Sequence, residues 1–462
     1  MTTPPPLEQR NLDEHTQMLD PISDVLVDHE IERGEDRISN LPKIILHEIL
    51  SRLPDPATTS VLSKAWLEIW YTFPNLSFSD TKITRTFRQP VEDLPRKSKD
   101  FIEYVKSTLL RFSDQRLAIK ELKLWLDCFD LSSMSMDVDI CLKLASENGV
   151  QVLELNNGSN KLQNDQGECY VLPEKVTENQ TLTKLSLLGQ IRVDPAFVNH
   201  SIKFFSLREL CLLNVHFEDE QSIKHLISCC PLIEIITLIF DDGMESLTMH
   251  GLQKLKTVHT DGIKELYIDE APSLENLNYC CDYLRTPFKI DSIRCQNLKE
   301  LFLYLDRTSV ITNKWFLELF QKFRFLERLK LFDCETSETI NISSGQLKFL
   351  KLTLCSNLKE ANIDAPNLSS FSLLLCCVPT TISLNLNTSS RSYIEFLYET
   401  LMKRSGEDCF CSNNVSKCWW HSLKDVKVIT SLKIDENVDF KTLLELLTTV
   451  EPRGNISFML EF

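Results

Sequence analysis

Glycine is scarce in this chain: 11 residues in 462, and scattered. That argues against a phosphate cradle, and neither G-x-x-x-x-G-K-[ST] nor G-x-G-x-x-G occurs. Basic residues are outnumbered, 50 Lys and Arg against 66 Asp and Glu, giving a formal charge of −16. Binding along a nucleic-acid backbone needs a Lys/Arg footprint, so nucleic acid is not an expected partner. No stretch approaches the roughly 18 consecutive apolar residues that span a bilayer. Residues Met1 to Glu14 are proline-rich and then acidic, without the basic start and apolar run of a secretory leader. Neither a membrane nor secretion is expected. No nucleophile elbow places a serine beside its partners. His47-Glu48 opens H-E-x-x, but Ser51 stands where a metalloprotease has its second histidine. The chain is expected to be no enzyme and to carry no cofactor.

Cysteine is plentiful, at 16 residues. In a chain this long without a leader these read as reduced thiols of cytoplasm or nucleus, not as a disulfide framework. Cys409, Cys411, Cys418 and His421 have the chemistry of a Cys₃His zinc site, but C-x-C-x₆-C-x₂-H lacks the usual knuckle spacing. A loop with packed cysteines fits better, and no metal is expected. Pro95-Arg96-Lys97-Ser98-Lys99 is a short basic cluster, better read as a solvated helix start than as a nuclear signal.

The richest stretch runs from Asp36 to Asp80. Ile38, Leu41, Ile45, Ile49 and Leu53 recur at helical spacing, with Ile44, Leu46 and Leu50 beside them. Asn40 is a candidate cap, Pro42 sits just inside the start, and Pro54 ends the helix. Asp55-Pro56 opens a second short helix. Ser63 caps a third, which carries Trp66, Ile69, Trp70 and Tyr71. Three short helices cannot enclose so much apolar surface, so one face is expected to meet another protein. Periodicity alone also fits a helical cap for the following domain.

These residues resemble an F-box of the plant F-box/leucine-rich-repeat type. The resemblance lies in Arg37-Ile38-Ser39-Asn40-Leu41-Pro42, Ile45 through Leu53-Pro54, Thr59-Ser60-Val61-Leu62-Ser63-Lys64 with Trp66, and Trp70 with Phe73-Pro74-Asn75-Leu76-Ser77-Phe78. The loop after Pro54 is about two residues shorter than in the family pattern, and Ala65 replaces a basic residue. The resemblance implies that Leu41, Pro42, Ile45, Ile49, Leu53, Val61, Leu62 and Trp66 bind a Skp-type adaptor, and through it a cullin.

Behind this head the template L-x-x-L-x-L recurs. Clear copies begin at Ile119, Val150, Leu182, Leu207, Ile263, Leu298, Leu326 and Leu347, and looser ones at Leu232, Leu252, Leu274, Leu358 and Leu368. Alternate apolar positions describe a short strand buried on one side. Cys334, Cys355 and Cys376 follow three late copies at a common interval of 21 residues, where such repeats use Asn or Cys in the turn. Early copies are far enough apart for a strand and a returning helix, such as Met136 to Asn148 with Ile140, Leu144 and Ala145 apolar. Later spacings of 10 or 11 leave no room for a helix, so a strand-like segment is expected on the outer side. A helix over Asp100 to Phe112, with Phe101, Val105, Leu109 and Phe112 on one face, is expected to cover the start of the array.

Past Ser390 the template fades. Tyr393 to Lys403 is helical by pattern. The tail from Leu423 resembles the FBD-type ending of such plant proteins, which implies a strand from Val426 and Val428, a helix over Phe440 to Val450 and a last strand over Ile456 to Phe462. The expected fold is α+β: a three-helix F-box, an irregular leucine-rich-repeat solenoid with α/β coils early and more strand-only coils late, and a small α/β cap. The expected divisions are an acidic, proline-rich disordered arm (1–35), the F-box (36–80), a linker and capping helix (81–115), the solenoid (116–390) and the FBD-like cap (391–462). The expected function is substrate recognition for an SCF-type ubiquitin ligase, with a protein substrate held on the repeats. A ligand- or hormone-dependent receptor and a plain interaction scaffold on the same frame are the alternatives.

Overall fold

A computed structural model describes residues 38, 41–53, 56–81, 94–126, 131, 134–158, 169–194, 204–281, 288–305, 310–375, 381–387, 425–430 and 455–461. The chain divides into two units, Met1–Tyr71 and Thr72–Phe462.

The first unit is a helical head. Helix α1 (Lys43–Ser51) starts directly after Pro42, whose extended backbone serves as the cap without a side-chain bond. Asn40 and Pro54 lie outside the described residues. The second element, Pro56–Val61, is a 3₁₀ helix. Helix α2 (Lys64–Tyr71) begins at Ser63, whose Oγ accepts from the Trp66 N–H at 3.3 Å, as the sequence leads one to expect. His47 ties α1 to α2, its Nε2 lying 3.3 Å from the Ile69 carbonyl oxygen. Burial lowers the His47 pKa, so the ring is neutral at pH 7. The H-E dipeptide therefore has a structural use.

The second unit stacks coils. In chain order it runs β1 (Asn75–Ser79), α3 (Leu94–Asp114), β2 (Glu121–Leu126), α4 (Ser135–Glu147), β3 (Val152–Asn157), β4 (Tyr170–Val171), α5 (Glu174–Thr177), β5 (Lys184–Gly189), β6 (Ile191–Val193), β7 (Glu209–Leu213), β8 (His216–Phe217), α6 (Glu220–Ser228) and β9 (Ile235–His250). It continues with β10 (Thr257–Asp269), β11 (Asn276–Cys281), β12 (Glu300–Leu305), β13 (Val310–Ile311), α7 (Asn313–Lys322), β14 (Arg328–Phe332), β15 (Glu335–Thr336), β16 (Thr339–Ser343), β17 (Phe349–Cys355), β18 (Glu360–Asp364), β19 (Ser370–Leu375), β20 (Thr381–Asn387), β21 (Asp425–Thr430) and β22 (Asn455–Glu461).

Twelve strands form one long sheet in the order β1-β2-β3-β5-β7-β9-β10-β11-β12-β14-β17-β19. Every pairing in it is parallel, one strand per coil. Its first strand comes from Asn75–Ser79, inside the stretch that resembles an F-box. Behind it lies a second sheet, β16-β18-β20-β22-β21, parallel as far as β20 and antiparallel beyond. The tail strands expected from the FBD resemblance are thus β21 and β22. Residues 440–450 lie outside the described residues.

The template leucines are the core. Leu298, Leu301 and Leu303, Leu326, Leu329 and Leu331, and Leu347, Leu350 and Leu352 are all buried. Each is worth about 1.5–3 kcal/mol of burial before entropy. Helix α3 is longer than its apolar pattern, but the expected face, Phe101, Val105, Leu109 and Phe112, is the buried one. The basic cluster falls in its first turns, with Arg96 exposed. In α4 the buried face is Val138, Cys141, Leu142, Leu144 and Ala145, and Ile140 points outward, contrary to the sequence reading. The coils are joined by a backbone rung. Glu234 N–H donates to the Arg208 carbonyl, Lys256 to Glu234, Glu275 to Lys256, Lys299 to Glu275, Glu327 to Lys299 and Lys348 to Glu327. Side chains of this column alternate in sign, and Arg208–Glu234, Glu234–Lys256, Glu275–Lys299 and Glu327–Lys348 are ion pairs.

Three details of the coils follow. One late coil carries a helix, α7, for which the 28 residues from Leu298 to Leu326 give room. At the short spacings, where an outer strand-like segment is expected, the copies at Ile263 and Leu358 are the outer segments. They form the outer half of β10 and the outer strand β18, each lying behind an inner strand. Two loose copies are out of register: the inward residues are Ile233 and Leu255, whereas Leu232 is exposed.

Cys334 and Cys355 are buried free thiols in successive coils, with Sγ atoms 3.2 Å apart. Cys355 Sγ also lies 3.7 Å from the Thr353 carbonyl oxygen in the same turn. Cys376 lies outside the described residues. Burial pushes the thiols of Cys141 and Cys230 up to about 12 and that of Cys295 to about 11. The unfolded chain therefore ionises these groups first. Their stabilising contribution is intact below about pH 8.5 and declines above it, by up to about 1.4 kcal/mol per pH unit per thiol. Urea midpoints measured from pH 8 to 10.5 are expected to fall, and to fall less steeply in Cys230→Ala.

Candidate functional site

Two surfaces present groups outside the buried core. The first is on the head. Leu46 and Leu50 take the buried side of α1, which leaves the other side uncovered. Of the residues assigned to adaptor binding, Leu41, Pro42, Ile45, Leu53, Val61 and Leu62 are exposed, and Ile49 and Trp66 are half-buried. Val61 is 84 % and Leu62 66 % exposed at the end of the 3₁₀ helix. The turn is fixed by the Leu62 N–H donating to the Thr59 carbonyl at 3.1 Å. Two residues outside the assigned set belong to the same kind of surface: Ile44, 75 % exposed, and Ile38. Both are visible in sequence as apolar; periodicity does not say which side of a wide apolar face stays open. Aliphatic exposure this dense costs solubility unless a partner covers it.

The second surface is the open face of the long sheet. Its residues lie in three columns running from coil to coil. In the column through Leu188, Leu213 and Ile239 the neighbours are aliphatic, and farther along it Tyr304 stacks on Phe332 with centroids 4.9 Å apart. The next column holds Phe302, Lys330 and Lys351, and the third Glu300, Arg328 and Phe349. A leucine-rich frame fixes these positions and leaves their chemistry free to vary.

A groove of about 670 Å³ lies elsewhere, between α7 and the second sheet, lined by Phe316, Leu317 and Phe320 on one side and Asn341, Asn362 and Asp364 on the other. Asn313 ties the helix to β16 by donating to the Thr339 carbonyl at 3.1 Å. Among the described residues no group of three or more His, Cys, Asp or Glu is placed to hold a metal. No helix of the described residues is long and apolar enough to cross a membrane. Cys409, Cys411, Cys418 and His421 lie outside the described residues.

The repeats match known families. Residues 138–309 match the model for the leucine-rich repeats of the FBD-associated F-box protein At5g56370, and residues 285–405 that for the repeat domain of At1g61320/AtMIF1. The F-box/LRR-repeat protein At3g26922 of Arabidopsis thaliana is 30% identical over 329 residues, covering 68% of this chain and 96% of that protein. The chain belongs to the F-box/LRR-repeat family. The Arabidopsis F-box/FBD/LRR-repeat protein At4g26340 is 28% identical over 386 residues, 79% of this chain and 84% of its own length. For its counterpart At4g00160 the match is 30% identical over 261 residues, 53% of this chain and about half, 51%, of that protein. This plant family membership agrees with the two-part layout: a helical head and a leucine-rich-repeat solenoid with an FBD-type ending.

Proposed function

We propose that this F-box/LRR-repeat chain is the substrate-recognition subunit of an SCF-type ubiquitin ligase, working in cytoplasm or nucleus. The observation that carries it is the uncovered aliphatic face of the head. Leu41, Pro42, Ile45, Val61 and Leu62 are held outward by a framework that buries Leu46 and Leu50. Such a face binds an apolar groove on a Skp-type adaptor, with Ile49, Leu53 and Trp66 at its edge, and the adaptor brings the cullin. The solenoid then holds a protein substrate. The chain performs no chemistry in this scheme: it raises the effective concentration of a substrate lysine near the ubiquitin-carrying enzyme.

Affinity purification of the tagged full chain under proteasome inhibition, followed by mass spectrometry, tests the scheme. Adaptor, cullin and substrate are expected together. Substrate without adaptor would instead favour the plain scaffold, to which Ala65 and the shortened loop after Pro54 incline.

A further inference from the structure

Most cations along the long sheet have a carboxylate partner. Lys184 is paired with Glu209, Arg208 and Lys256 with Glu234, Lys299 with Glu275 and Lys348 with Glu327. Lys330 and Lys351 do not: among the described residues neither has an ion-pair partner. They occupy the same position on adjacent parallel strands, Lys330 of β14 directly beside Lys351 of β17. Adjacent strands are only about 4.8 Å apart, and like charges facing each other across a strand pair destabilise it.

Aromatic rings frame the two lysines. Phe302 is the next residue in their column, on β12. Phe349 lies under Arg328 at 5.1 Å and under Lys330 at 5.7 Å. Tyr304 and Phe332 form the stacked pair one position along the same strands. Glu300, in the neighbouring column, is engaged by Arg328 at 3.2 Å. The result is a cationic patch with apolar walls, on a chain whose formal charge is −16. Farther back on the same face stand Glu154, Asp241 and Asp261. They repel a long anion, so a nucleic-acid strand is disfavoured. A short anionic stretch meets only the patch.

We infer that the open face at β12, β14 and β17 binds a short acidic peptide segment of the substrate, with Asp or Glu carboxylates on Lys330 and Lys351 and a neighbouring aromatic or aliphatic side chain against Phe302, Phe332 and Phe349. This deepens the substrate-recognition reading and rests on it. Carboxylates relieve the repulsion between the lysines, and the rings supply the apolar contact that makes such a surface selective.

The test is selection of a random 16-residue peptide display library on the immobilised full chain. The retained peptides are expected to carry paired Asp or Glu beside Phe, Tyr or Leu. Affinity of a synthetic copy of the most enriched peptide is expected to drop about tenfold or more in the double variant Lys330→Glu, Lys351→Glu, and to weaken steeply with salt. Lys330 and Lys351 are half-buried on the open face and outside the apolar core, and an unchanged urea midpoint checks that the double variant keeps the fold. A library that yields no peptides, peptides without acidic enrichment, or acidic peptides that bind the double variant equally well overturns the inference. So does tighter binding of a single-stranded oligonucleotide than of any peptide. Adaptor capture by the same double variant is expected to be normal. Its loss in the unsubstituted chain would instead strike at the ligase reading, so the two failures are separable.

Discussion

Replacing Leu41 and Pro42 together by alanine is expected to weaken capture of a Skp-type adaptor by about 30- to 800-fold, the equivalent of about 2–4 kcal/mol. Both residues are exposed, immediately before α1. Pro42 caps α1 and Leu41 is 38 % exposed, so the isolated chain is expected to lose about 1 kcal/mol of stability. A binding loss larger than that, in a variant that stays folded, is one of contact. A matching pair, Ile44→Ala with Val61→Ala, is expected to act in the same direction, because Ile44 and Val61 are the most exposed aliphatic residues of α1 and the 3₁₀ helix. Surface plasmon resonance with purified adaptor reads the affinity, and thermal unfolding of each variant checks the fold. Undiminished binding of folded L41A/P42A would remove these residues from the contact surface.

The second large effect concerns a corner of the solenoid. Strand β10 serves both the long sheet and the outer side of the coil, with its register against β9 shifting between Asp261 and Ile263. Gly262 makes that corner at φ +77°, and a Cβ placed there would lie 2.0 Å from the Phe240 carbonyl oxygen. Gly251 has nearly the same backbone angle, φ +72°, but nothing within 4 Å of an added Cβ. Gly251→Ala should thus report only the strain of the left-handed conformation, about 1 kcal/mol. Gly262→Ala adds displacement of backbone against backbone, where no flexible side chain can yield, for about 2–4 kcal/mol in all. Equilibrium urea unfolding of the two variants side by side measures the difference. Equal destabilisation would mean that the corner adjusts more freely than its close approach implies.

The alternation of apolar residues, which marks strands with one dry side, was legible throughout the repeats, as were the head's amphipathic helices. What periodicity could not tell was which side of a coil a given strand occupies. Ile263 begins a clear copy of the template and Leu358 a looser one, and both build outer strands, because a coil of about 21 residues has apolar positions facing the core from both sides. Leu232 and Ile233, adjacent aliphatic residues, satisfy the template equally, and only the stacking register decides for Ile233. The late helix α7 stands among short spacings that favour strand-only coils, in the longer interval from Leu298 to Leu326. On the open face, Lys330 and Lys351 are separated by 21 residues, the same interval as Cys334 and Cys355. The interval predicts their adjacency, but their lack of carboxylate partners depends on side-chain geometry that no pattern contains. On the head, Leu41, Pro42, Ile45, Leu53, Val61 and Leu62 are exposed and Ile49 and Trp66 half-buried, while periodicity does not say that Ile38 and Ile44 stay open.

The division of labour between the head and the solenoid can be tested by titrating a purified Skp-type adaptor into the purified full chain in an isothermal calorimeter. The account predicts one adaptor bound per chain, with a negative heat-capacity change from burying the aliphatic face of Leu41, Ile45, Val61 and Leu62. An adaptor that gives no binding heat at any temperature, and does not comigrate with the folded chain on gel filtration, would contradict it.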